Sequence, residues 1–130
     1  MKDRSLFWGS VVMLVAVAMG AFGAHGLEPK LTDDALMQWD KGVLYQLVHG
    51  LALVALAAVG ERITSRLRRL ARTFFVVGII CFSGSLYLLA TRDLLGIHGF
   101  TRAFGPITPL GGLSLMAGWL TLGISALRAR

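Results

Sequence analysis

Two histidines stand in or at the rim of long apolar segments that hold no Asp, Glu, Lys or Arg. His25 closes the run from Leu6 through Ala24, and His49 interrupts the run from Val43 to Gly60, just after Tyr45-Gln46. Burying an ionisable group in hydrocarbon is expensive, so one found there marks a functional site by default. Imidazole can ligate a metal, move a proton, or hydrogen-bond a second polar group. A metal is the sharpest of these readings and is short of ligands. Structural zinc usually takes four ligands and catalytic zinc three plus water, whereas His25 and His49 are the two histidines of the apolar runs and no thiolate is placed to join them. Asp40, Asp93 or His98 would have to complete the shell, and no His-x-x-His or Cys-x-x-Cys spacing marks one. A haem held between the two histidines is conceivable chemistry, but their unequal depth and the lack of pocket-lining signals count against it. The sequence therefore identifies no cofactor.

The elements that must position these residues follow from composition. The chain has 130 residues, 55% hydrophobic and 15% charged, against a soluble norm of about 25% charged. Crossing a bilayer as a helix takes roughly 20 mostly apolar residues. Four stretches qualify, 6–26, 43–60, 73–90 and 108–127, and none contains Asp, Glu, Lys or Arg. Lipid offers backbone groups no partners, so each stretch must be a helix. The expected fold is all-α, a four-helix transmembrane bundle forming a single integral membrane domain over 1–130.

Of the 13 Lys and Arg residues, nine fall on one side of that arrangement: Lys2, Arg4, Arg62, Arg66, Arg68, Arg69, Arg72, Arg128 and Arg130. The other side holds Lys30, Lys41, Arg92 and Arg102 beside Glu28, Asp33, Asp34, Asp40 and Asp93. Positive loops stay cytoplasmic, which predicts cytoplasmic N- and C-termini. The Arg62–Arg72 loop is expected to rest on the anionic head groups of membrane lipids, where each basic residue contributes about 1 kcal/mol. That placement accounts for the net charge of +6 without nucleic acid. The N-terminus has some features of a secretory signal, but its apolar part from Leu6 to Phe22 exceeds the usual core of about 7–15 residues, so a retained first helix is expected. The single cysteine, Cys81, excludes an intrachain disulfide framework.

Local signals refine the picture. Thr32 is placed to cap a helix with Asp33 and Asp34 in its first turn, running on into the second span, with Trp39 as an anchor at the outer interface. Trp39, Gly42, Gln46, His49 and Leu53 recur at helical spacing and share one face. Counted from Val43, His49 lies about 9 Å below the start of its span, in the outer half with His25. Thr108 as cap and Pro109 at the first helical position open the fourth span. Gly111 and Gly112 then admit either a neighbouring helix or a ligand at that helix start. Ser83 and Tyr87 are spaced to hydrogen-bond across helices.

Several strings together resemble one family: Gly20-Ala21-Phe22-Gly23-Ala24-His25, Tyr45-Gln46 with His49-Gly50-Leu51-Ala52-Leu53, Phe82-Ser83-Gly84-Ser85-Leu86-Tyr87, and Thr108-Pro109-Leu110-Gly111-Gly112 with Gly118-Trp119. In order and spacing they are similar to the YgdD-like family, small four-helix membrane proteins classed as a domain of unknown function. The resemblance covers nearly the whole chain and implies a multi-pass protein of the bacterial inner membrane. It brings no activity with it. His25, Tyr45, Gln46 and His49 fall on its motifs, and His98 does not.

The expected function is a structural or interaction protein with a polar cluster of His25, Tyr45, Gln46 and His49 in the outer half of the bundle, near Thr108, Gly111 and Gly112. One alternative is a ligand- or metal-binding protein using His25 and His49; another is a channel or transporter, which would need a homo-oligomer because four helices enclose little interior. Proton-coupled cation export generally uses an intramembrane carboxylate, and these spans hold none. No catalytic constellation of serine, histidine and acid can be assigned, so no enzyme is expected.

Overall fold

The computed structural model describes residues 3–128; Lys2 and Arg130, two of the nine basic residues grouped by charge, lie outside the described residues. Four helices are long and apolar enough to cross a membrane. Helix α1 spans Arg4–Phe22 and continues as a π-helical turn over Gly23–Leu27. The Asp3 carboxylate caps it, accepting from the Ser5 and Leu6 amides at 2.8 and 3.2 Å. Helix α2 spans Asp33–Val59, with the Thr32 hydroxyl accepting from the Ala35 amide at 3.3 Å, as its sequence predicts. Gly60, at φ 55°, ends it in a conformation that favours glycine. Helix α3 spans Ser65–Ala90, the one-turn helices α4 (Arg92–Leu95) and α5 (Thr101–Phe104) follow, and α6 spans Ile107–Arg128. No strand occurs among the described residues.

The helices overrun the apolar stretches that announce them. A helix satisfies its own backbone bonds in water as well as in lipid, so it need not stop where hydrocarbon does. Arg66, Arg68, Arg69 and Arg72 accordingly occupy the first two turns of α3 rather than a loop. At the other end, α6 starts at Ile107, with the Pro106 carbonyl accepting from the Leu110 amide at 3.3 Å. Thr108 is therefore inside the first turn and does not cap the helix, contrary to the sequence expectation.

Helices α2 and α3 form the centre: α1 packs along α2, α2 along α3, and α3 along α6, with no extended packing between α1 and α6. In lipid, close approach through small residues replaces the hydrophobic drive. A Cβ on Gly111 would sit 2.8 Å from Phe82 Cα, so α6 rides directly on the α3 backbone. Gly9 plays the same part for α1, where a Cβ would fall 2.9 Å from the Val54 amide nitrogen. Near the arginine-rich end, Leu53, Leu56, Phe75, Ile79 and Leu115 form the main core. At the opposite end Leu27, Trp39, Val43 and Ala90 form a second, smaller one.

Candidate functional site

Helical spacing places Trp39, Gly42, Gln46, His49 and Leu53 on one face of α2, and all five are buried. Four of them carry bonds between helices, Trp39, Gln46 and His49 through their side chains and Gly42 through its carbonyl. The Trp39 indole donates to the Met19 carbonyl of α1 at 2.9 Å, so this residue is an interhelical tie in the core and not an interface anchor. Gln46 donates from Nε2 to the Val12 carbonyl of α1 at 3.0 Å and accepts at Oε1 from the Tyr87 hydroxyl of α3 at 2.7 Å. One side chain thus joins three helices. One turn away, the Ser83 hydroxyl donates to the Gly42 carbonyl at 2.8 Å.

His49 serves a different pair. Its Nδ1 lies 2.7 Å from the Tyr45 carbonyl, and its Nε2 lies 3.0 Å from Trp119 Nε1 of α6. A carbonyl only accepts and an indole N–H only donates. The ring is therefore neutral, with its proton on Nδ1 and its Nε2 lone pair pointing at Trp119. Phe75 and Trp119 surround it with ring centroids 5.8 and 6.0 Å away. Tyr45 stacks on it at 5.8 Å and on Phe82 at 4.4 Å, while its own hydroxyl makes no bond among the described residues.

The structure divides the single cluster expected from sequence. His25 is exposed on the π-helical turn, beyond Gly23, which packs on Trp39. Ten residues of α2, about 15 Å of rise, separate the Trp39 layer from His49. His25 and His49 therefore share no site. Along α2, which begins at Asp33 instead of Val43, His49 lies about 24 Å from the first residue and about 15 Å from the last. By helix length it is nearer the arginine-rich end of α2, and the Trp39, Ser83 and Tyr87 bonds lie toward the opposite one; its depth counted from Val43, where the apolar run begins, is unaltered. His98 approaches Asp93 at 3.4 Å in the exposed α3–α6 connection and joins neither.

Thr108 bonds the Ser85 hydroxyl at 2.6 Å, tying α6 to α3. Gly111 meets the Phe82 backbone, and a Cβ on Gly112 would lie 3.7 Å from the Phe82 ring. Of the two uses open to these glycines, helix packing is the one the structure displays. No group of three or more His, Cys, Asp and Glu side chains that could hold a metal ion is found among the described residues. Trp119 is the partner that sequence reasoning missed. Its signal was an indole N–H within a membrane span, where lipid supplies no acceptor and the bundle must.

Replacing Gln46 tests the three-helix tie. Gln46→Leu loses its bonds to α1 and α3 and strands the Tyr87 hydroxyl, an expected cost of about 1–2 kcal/mol. Denaturing-detergent titration of the purified protein checks it, and adding Tyr87→Phe should recover part of the loss.

The family described as "Protein of unknown function (DUF423)" matches residues 19–112. The chain belongs to this family. DUF423 relatives align along almost its whole length. A UPF0382 membrane protein of Staphylococcus haemolyticus is 42% identical over 120 residues, 92% of each chain. The UPF0382 membrane protein YwdK of Bacillus subtilis is 36% identical, covering 92% of this chain and 93% of its own. The UPF0382 inner membrane protein YgdD of Escherichia coli is 36% identical, covering 96% and 90%. No solved structure matches the chain. Four apolar helices in a DUF423 chain make this a multi-pass membrane protein. Membership brings no known catalytic role.

Proposed function

We propose that the chain is a non-enzymatic structural or interaction protein of the bacterial inner membrane, one integral domain with both termini in the cytoplasm. Its intramembrane polar side chains hold the helices in register. The observation that carries this reading is that the polar atoms of Gln46 and both ring nitrogens of His49 already have partners within the bundle. His49 has no lone pair left for a metal or a substrate. Interhelical polar bonds of this kind add little stability each, averaging about 0.6 kcal/mol, but restrict which packing is allowed.

The excess of arginine at one end supports the orientation, since basic residues near the ends of spans are retained in the cytoplasm. The arginines from Arg62 to Arg72 then face the anionic head groups of the inner leaflet. The inner-membrane assignment draws on the Escherichia coli relative, an inner membrane protein. Fusions at the C-terminus test the placement. A cytoplasm-only fluorescent reporter should be bright and a periplasm-only phosphatase inactive, and the reverse pattern would refute it.

A further inference from the structure

Between α1 and α3, with α2 beneath, runs an open groove of about 300 Å³. Trp8, Val11 and Val15 form one wall, Val76, Ile80 and Gly84 the other, and Gln46 and Tyr87 reach its floor. Arg4 stands one helical turn before Trp8, and Arg72 one turn before Val76, so both lie at the same mouth of the groove. The Arg72 guanidinium is within Coulomb reach of Arg4, Arg68 and Arg69, with Asp3 the opposing charge. None of the four arginines forms an ion pair among the described residues, and the Asp3 carboxylate is engaged as the α1 cap. Four like charges are thus held close together, with Asp3 opposing them at Arg72.

We propose that this groove is a binding site for one anionic phospholipid, its phosphate held by Arg4 and Arg72 and an acyl chain lying along Trp8, Val76, Ile80 and Gly84. The dimensions fit a lipid better than a helix. The α1 wall rises about 10 Å from Trp8 to Val15 and the α3 wall about 16 Å from Val76 to Tyr87. Half of a roughly 30 Å hydrocarbon core is a single leaflet. A second copy docked here about a two-fold axis would bring two arginine clusters together, whereas a phosphate neutralises the one present and guanidinium binds it in bidentate fashion. The site rests on the arginines meeting a membrane leaflet, which the reporter fusions test independently.

Native mass spectrometry of the purified full chain, titrated in detergent with dioleoyl phosphatidylglycerol or dioleoyl phosphatidylcholine, decides the proposal. Wild type is expected to retain one phosphatidylglycerol, bound about tenfold or more tightly than phosphatidylcholine. Arg4→Gln with Arg72→Gln should abolish that preference. Gly84→Phe should release the lipid with every arginine intact; Gly84 has no heavy atom within 4 Å of a built Cβ, so the ring enters the groove without disturbing the helices. Circular dichroism confirms that each variant is folded. Equal binding of the two lipids would overturn the proposal, and so would loss in the arginine variant but not in Gly84→Phe. A protein dimer that Gly84→Phe dissociates would assign the groove to a second copy instead.

Discussion

Gly111→Leu is expected to pry α6 off α3 and to destabilise the protein by about 3 kcal/mol or more, at the upper end of overpacking costs. The added Cβ would meet Cys81 and Phe82 main-chain atoms, 2.8 Å from Phe82 Cα. A flexible side chain can swing aside, but a helix backbone moves only as a whole. The separation would also break the Ser85–Thr108 bond one turn away and the Ser114 bond to the Phe74 carbonyl. Denaturing-detergent titration against wild type measures the loss. Gly84→Ala is the control: it enters open space, and its effect should stay within about 0.5 kcal/mol. Equal effects at the two positions would mean that α6 does not approach α3 through Gly111.

His49→Ala carries the second large effect, an expected loss of about 2–4 kcal/mol. Part is the orphaned Trp119 N–H: the residue is half-exposed, but a face turned to lipid offers the donor no water, and an unmade bond of this kind costs about 1–3 kcal/mol. The rest is the emptied space among Phe75, Tyr45 and Trp119, whose aromatic contacts contribute about 0.5–1.5 kcal/mol per pair. A double-mutant cycle with Trp119→Phe isolates the bond itself, with an expected coupling of about 0.6–1.7 kcal/mol. Strictly additive losses would show that the two rings do not bond. Nitrogen-15 NMR of labelled histidine offers a separate check. His49 should report a neutral ring protonated at Nδ1, the form dictated by a carbonyl on one side and an indole on the other.

Both effects come from residues whose importance was only partly visible in the chain. That His49 and Gln46 are buried on one face of α2 follows from helical spacing, and the structure buries both. Their partners do not follow. Gln46 meets Tyr87 across 41 residues and His49 meets Trp119 across 70. Periodicity orders side chains around one helix axis and carries no information about which helix lies opposite. The expected grouping of His25 with His49 failed for a related reason. Apolar runs report where hydrocarbon begins, so Val43 stood in for a helix start that lies ten residues earlier, at Asp33.

The sequence by itself determined that this chain is four apolar helices, which of their residues are ionisable, where α2 is capped, and which face of it is polar. Those properties depend on near neighbours: a run long enough to cross lipid, a hydroxyl three residues from an amide, a repeat every turn. Only the tertiary structure decided that α2 and α3 are central, that Gly111 is a backbone contact, that His25 stands apart, and that a groove opens above Arg4 and Arg72. In lipid, water no longer drives apolar faces together, and the arrangement is chosen by where small residues let backbones touch and where polar atoms find partners. Those choices join positions far apart in the chain, and no local pattern records them.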